Sequence, residues 1–207
     1  MINNWIEGIV LREPAFDNIV QSVLETGKKE NSGYFSGRFD DSNLIVQNAC
    51  PLVNTKRSFR CVETIGFDSL MRFRSYLRTK RTIDPKIVFG DYHSHPSMYK
   101  CDKNDKDLNF YSDTDLEQRL EDMDTFNQDS WISFIIKCHR IEHKHPGRRF
   151  MNVRKYGKKL SVHIKNEYSA SNYLTFNAYV THSPTDIIHR KIKPSDLRTF
   201  ELDISLE

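Results

Sequence analysis

Gly90-Asp91-Tyr92-His93-Ser94-His95-Pro96, followed after a gap by Ser112-Asp113-Thr114-Asp115, is the stretch on which the reading of this chain turns. Lys86 to Tyr92 is short and mostly apolar, the pattern of a buried strand, and it delivers two histidines two positions apart. Side chains alternate across a strand, so His93 and His95 point the same way and can grip one ion. Neutral imidazole is a good zinc ligand, and Asp115 would add a carboxylate oxygen. Three protein ligands leave a fourth position for water, whose pKa zinc lowers to about 7. The chain therefore reads first as a metal-dependent hydrolase.

Each residue also has a plainer role. A single strand histidine is more often packed or solvated than a ligand, but a pair at this spacing, followed by proline, is harder to dismiss. Ser112-x-x-Asp115 resembles a helix capping box, a role compatible with presenting Asp115 to a metal from the first helical turn.

Working outward, Trp5 to Leu11 reads as a strand, and Pro14 opens a helix with Phe16, Ile19, Val20, Val23 and Leu24 on one face before Gly27. Gly33–Phe39 and Asn43–Ala49 flank the turn residues Asp40-Asp41-Ser42, a hairpin signal. Phe59 to Ile65 is a strand, and Asp68 caps a second helix striped by Leu70, Phe73, Tyr76 and Leu77. A third helix starts at Ser112 and carries Leu116, Leu120 and Met123. Five strands follow, at Trp131–Cys138, Arg149–Lys155, Leu160–Lys165, Tyr173–Thr181 and Ile187–Ile192. The expected fold is α/β: one domain over residues 1–207, a mixed curved β-sheet flanked by two to three helices, with C-terminal strands over 149–193.

The bulk properties agree with that picture. A chain of 207 residues, 38% hydrophobic, suits one globular core. No signal-like N-terminus and no apolar run of membrane length is present, so no membrane partner is expected. Four scattered cysteines without a CxxC pair fit a reducing cytoplasm. A net charge of +3 is too small to argue for nucleic acid. Cys138, His139, His143 and His145 form a second Cys/His cluster at no standard zinc spacing, which a charged turn explains as well.

Together the residues resemble the JAMM metalloproteases, also called MPN-plus or JAB-domain proteins. That family's pattern is an upstream glutamate, then His-x-His-Pro, a variable gap and Ser-x-x-Asp. Its glutamate usually precedes Gly-x-x-x-Gly, and this chain has Glu30-Asn31-Ser32-Gly33-Tyr34-Phe35-Ser36-Gly37. The match covers residues 1 to about 140. The resemblance implies zinc bound by His93, His95 and Asp115, Glu30 as general acid/base, and Ser112 helping to hold the oxyanion. Otherwise Glu30 is a solvated glutamate beside Lys28 and Lys29. It also implies a bacterial or phage-type isopeptidase that cuts after the C-terminal tail of a ubiquitin-like protein, in deconjugation, precursor processing or antiphage conjugation systems.

Sixteen residues separate His95 from Ser112, more than the family usually has. The loop 97–111 is by default solvated, but it could act as a lid, and Asp113 is the neighbouring alternative to Asp115. Rival readings are a non-catalytic interaction scaffold of the same fold and a RadC-like nucleic-acid-associated protein.

Overall fold

The structure, a computed structural model, describes residues 6–26, 29–52, 55–57, 62–64, 67–97, 113–145, 147–166, 170–182 and 198–207. Its strands are β1 (Gly8–Leu11), β2 (Ser32–Asp40), β3 (Asn43–Pro51), β4 (Thr55–Arg57), β5 (Val62–Thr64), β6 (Val88–Ser97), β7 (Ser130–Glu142), β8 (Phe150–Tyr156), β9 (Lys159–Lys165), β10 (Ala170–His182) and β11 (Arg198–Leu206). Its helices are α1 (Glu13–Thr26), α2 (Phe67–Ile83) and α3 (Asp113–Phe126).

The main sheet runs β11-β1-β3-β2-β6-β7-β10-β9-β8, and β11 pairs again with β10. The seven strands from β11 to β10 therefore close into a barrel. β10 makes closure possible because it is long: its first half pairs with β9 and its second half, Ala178 to His182, with β11. Strands β9 and β8 continue beyond the ring as a hairpin, while β4 and β5 form a separate two-stranded ribbon.

The expected helix-flanked α/β sheet is thus corrected to a closed barrel, for two reasons. First, Arg198–Leu206, beyond the expected strands, is itself a strand in which Phe200, Leu202, Ile204 and Leu206 alternate with polar residues. This segment runs parallel to β1 and buries Leu202 and Ile204, and without it the sheet would stay open. Second, α1 does not flank the sheet. Its Phe16, Ile19, Val20 and Val23 share one core with Phe35, Tyr92, Phe134, Phe176 and Ile204 from strands around the ring. The expected strand Ile187–Ile192 lies outside the described residues.

The hairpin at Asp40-Asp41-Ser42 forms as expected, with Asp41 at φ 52°, a left-handed turn conformation that aspartate tolerates. α2 and α3 pack on the outside of the barrel through a second apolar cluster that includes Leu77, Phe89, Met123, Phe126 and Trp131. Leu70 and Phe73 join this cluster, but Tyr76, assigned to the same stripe, is 60% exposed. Arg74 is buried instead.

Two glycines let the barrel wall pack closely near the histidines. A Cβ on Gly33 would meet the Tyr92 ring at 2.5 Å, and one on Gly90 would collide with the Ile132 carbonyl and the Phe35 ring. Tyr92 thereby reaches inward, and its hydroxyl lies 3.1 Å from Ser22 Oγ on α1.

Candidate metal centre

β6 is longer than expected and carries His93, Ser94, His95 and Pro96 within the strand. Ser94 is buried on the barrel side, which places His93 and His95 on the outer face by alternation. Their ring centroids are 4.8 Å apart. β2 lies antiparallel beside β6, with Ser32 opposite His93. The chain just before β2 is fastened to β6 twice: Ser94 N–H donates to the Asn31 carbonyl at 2.7 Å, and Asn31 N–H donates to Ser94 Oγ at 2.9 Å. That clamp places Glu30 where its charge and that of His93 interact.

Glu30 is consequently half-buried, and burial pushes its carboxyl up to about 7, with His93 pulling down and the Asp115 charge pushing up. Asp115 projects from the first turns of α3 and also acts on His93. Burial disfavours the His93 imidazolium, but contact with Asp91 and the charges of Asp115 and Asp91 outweigh it, so its pKa is raised. The charges of Glu30 and Asp115 thus act on His93 from a loop and a helix, and His95 lies beside His93 on the same strand. Ser112 lies outside the described residues, as does most of the loop 97–111 and the side chain of Asp113.

Asp91, which the motif reading did not assign, sits next to this group. Trp131 Nε1–H donates to its Oδ1 at 2.6 Å, and Ser133 Oγ–H donates to the same oxygen. Its Oδ2 is 3.6 Å from His93 Nδ1. Burial alone would push the Asp91 carboxyl up, but His93, Arg119 and Ser133 outweigh it and lower its pKa. A carboxylate facing one ring nitrogen orients the imidazole and leaves the other nitrogen for a ligand. Two such signals were present in the sequence: Asp91 shares the face of His93 and His95, and Asp115, Arg119 and Asp122 recur at helical spacing.

That helical row forms a buried polar floor beside the site. Arg119 Nη1–H donates to Thr181 Oγ1 at 3.0 Å. Arg74 Nη2 lies 2.5 Å from Asp122 Oδ1, and the Tyr34 hydroxyl donates to both Asp122 oxygens at 3.2 Å.

In kind, two imidazoles and a carboxylate on one face suit zinc, and Asp91 supplies the supporting carboxylate that such sites use. Among the described residues, however, no three His, Cys, Asp or Glu side chains are arranged to hold a metal as they stand. The second Cys/His cluster is dispersed. Cys138 faces the barrel core, His139 faces outward, His143 Nε2 is 2.8 Å from Ser171 Oγ, and His145 is exposed.

No protein-family model matches the chain, and no curated protein is similar to it. The solution structure of protein DSY2949 from Desulfitobacterium hafniense is similar over 96% of this chain and 92% of its own, at 16% identity and a TM-score of 0.43. Similarity at that level adds nothing to the reading of the site.

Proposed function

We propose that the protein is a zinc-dependent peptidase or isopeptidase of the JAMM type, acting after the C-terminal tail of a ubiquitin-like protein. The reading rests on the motif residues and their neighbourhood, and the barrel carries none of it. The observation that supports it best is that Glu30, just before β2, and Asp115, on α3, both interact with His93 through their charges. His93, His95 and Asp115 would hold the ion. A zinc ion there would supply Lewis acidity and acidify water. Glu30, whose carboxyl burial raises to about 7 in the metal-free chain, would be the group that takes up and releases the proton, as hydrolysis of an amide requires. Ser112 would donate to the developing oxyanion. None of the described helices is long and apolar enough to cross a membrane, and a cytoplasmic site of action is proposed with the activity.

The test is cleavage of ubiquitin-like proteins fused to a reporter, with wild type, Glu30→Ala and chelator-treated protein. Loss of cleavage in both treatments supports the reading. A chain that binds zinc yet leaves every such fusion intact is instead a scaffold.

A further inference from the structure

The small net charge of +3 conceals a sharp local imbalance. Gly147 to Lys165, the segment containing the β8–β9 hairpin, holds seven lysines and arginines and no aspartate or glutamate. The rest of the chain is therefore net acidic. Two of the seven, Lys155 and Lys158, turn to β11: Lys155 Nζ is 2.7 Å from Asp203 Oδ1, and Lys158 Nζ–H donates to the Glu201 carbonyl at 3.0 Å.

Arg148 and Arg149 are exposed just before β8, and the places of Arg154, Lys159 and Lys165 follow from strand register. Leu160 and Val162 face the core, so Lys159, Ser161, His163 and Lys165 face outward, opposite Tyr156, Arg154, Asn152 and Phe150 of β8. In the same way the outward positions of β10 and β7 include Tyr173, Thr175, Lys137 and His139. No carboxylate occupies any outward position between Ile135 and Ile141, Ser171 and Asn177, Lys159 and Lys165, or Phe150 and Tyr156.

Arg154, Ser161, Thr175 and Lys137 form one row across the four strands, spanning about 14 Å at normal strand spacing. The next strand beyond Lys137 carries His95, so this face begins at the candidate centre. Aromatic rings lie among the cations. Phe150 is 42% exposed, Tyr156 is 81% exposed at the hairpin tip, and His163 stacks on Tyr173 with ring centroids 4.1 Å apart. His163 is held below its ordinary pKa by burial and by the charges of Lys165 and His143, which reports the positive field of the face.

We infer that the outer face of β7-β10-β9-β8 binds single-stranded nucleic acid, with Lys137, Arg154, Lys159 and Lys165 against phosphates and Phe150 and Tyr156 against bases. A four-stranded face that is exposed on β8 and half-buried at Lys137, His139, Tyr173 and Thr175, and that carries cations, hydroxyls and aromatic rings, matches what a single strand presents along its length: charge, hydrogen-bonding groups and π faces. A protein partner would need a desolvated apolar centre ringed by polar groups, whereas here the apolar side chains are dispersed among the cations. The inference is independent of the proposed hydrolase.

The experiment is fluorescence anisotropy of the full chain with a labelled oligothymidylate over a salt series. Wild type is compared with the triple variant Arg154→Gln, Lys159→Gln, Lys165→Gln and with Tyr156→Ala, each checked for native circular dichroism. Wild-type affinity should fall linearly in log–log form, and the triple variant should lower that slope by about 2, since each lost phosphate contact on a single strand is worth about 0.7. Tyr156→Ala, at an exposed tip, should weaken binding about fivefold or more with the slope unchanged. Absence of binding at low salt, slopes and affinities unmoved in both variants, or equal binding of polyglutamate of matched charge would each overturn the inference. The last outcome would identify an acidic protein as the partner.

Discussion

The carboxylate of Asp91 faces His93 across 3.6 Å while Trp131 and Ser133 hold its other oxygen from the next strand. β6 and β7 run parallel with Asp91 opposite Ser133 and His93 opposite Ile135, so this arrangement is built into the sheet register. Asp91→Asn keeps an oxygen for Trp131 and Ser133 but turns an N–H toward His93, where an acceptor now stands. Zinc affinity, read by chelator competition, should fall about 10- to 100-fold while circular dichroism is unchanged. Wild-type affinity in the variant would mean that His93 is oriented without Asp91.

Glu30 makes the metal-free protein's stability depend on pH in a definite direction. Its folded carboxyl titrates at about 7 against an ordinary 4.5, so the folded state binds more protons in between. The contribution is complete below about 4.5 and is lost as pH rises through about 7. Glu30→Gln should therefore flatten the decline in melting temperature between these values in chelator-treated protein. Bound zinc should remove much of the same decline, because a dication beside Glu30 favours its ionised form. A variant that retains the wild-type slope would assign the titration to another group.

Arg74 and Asp122 join α2 to α3 through a nearly dry ion pair shared with Tyr34. Burial pushes the Asp122 carboxyl up to about 7 even with Arg74 beside it. Arg74→Met leaves that carboxyl without its counter-charge and should cost about 3–5 kcal/mol in urea unfolding at neutral pH. Adding Asp122→Leu should recover most of the loss. If the double variant is no more stable than Arg74→Met, packing of the Arg74 stem outweighs the pair.

Barrel closure can be tested at Ile204, fully buried on β11. Ile204→Ala should destabilise by about 2–5 kcal/mol, the range for a core isoleucine reduced to alanine. An effect close to zero in chemical denaturation would mean that β11 frays from β1 and β10 in solution.

Local features were legible in the sequence because their causes are local. The β2–β3 turn follows from Asp40-Asp41-Ser42, the face of α1 from the spacing of Phe16, Ile19 and Val23, and the common side of His93 and His95 from strand alternation. Tyr76 shows the limit, since its spacing matches the apolar stripe of α2 and yet the tertiary structure leaves it exposed. Asp91 shows another, since an aspartate beside two histidines says nothing about a tryptophan forty positions later.

What the sequence by itself determined is the set of elements along most of the chain and the His93/His95 pair, because periodicity and alternation are properties of neighbouring residues. Whether the sheet stays open or closes was decided only in three dimensions. Closure depends on Arg198–Leu206 lying between β1 and β10, and its pairing with β1 joins residues nearly two hundred positions apart. The proximity of Glu30 and Asp115 to His93, and the gathering of Lys137 with the hairpin cations on one face, arose in the same way. Each depends on strand order and register, which no short stretch of chain contains.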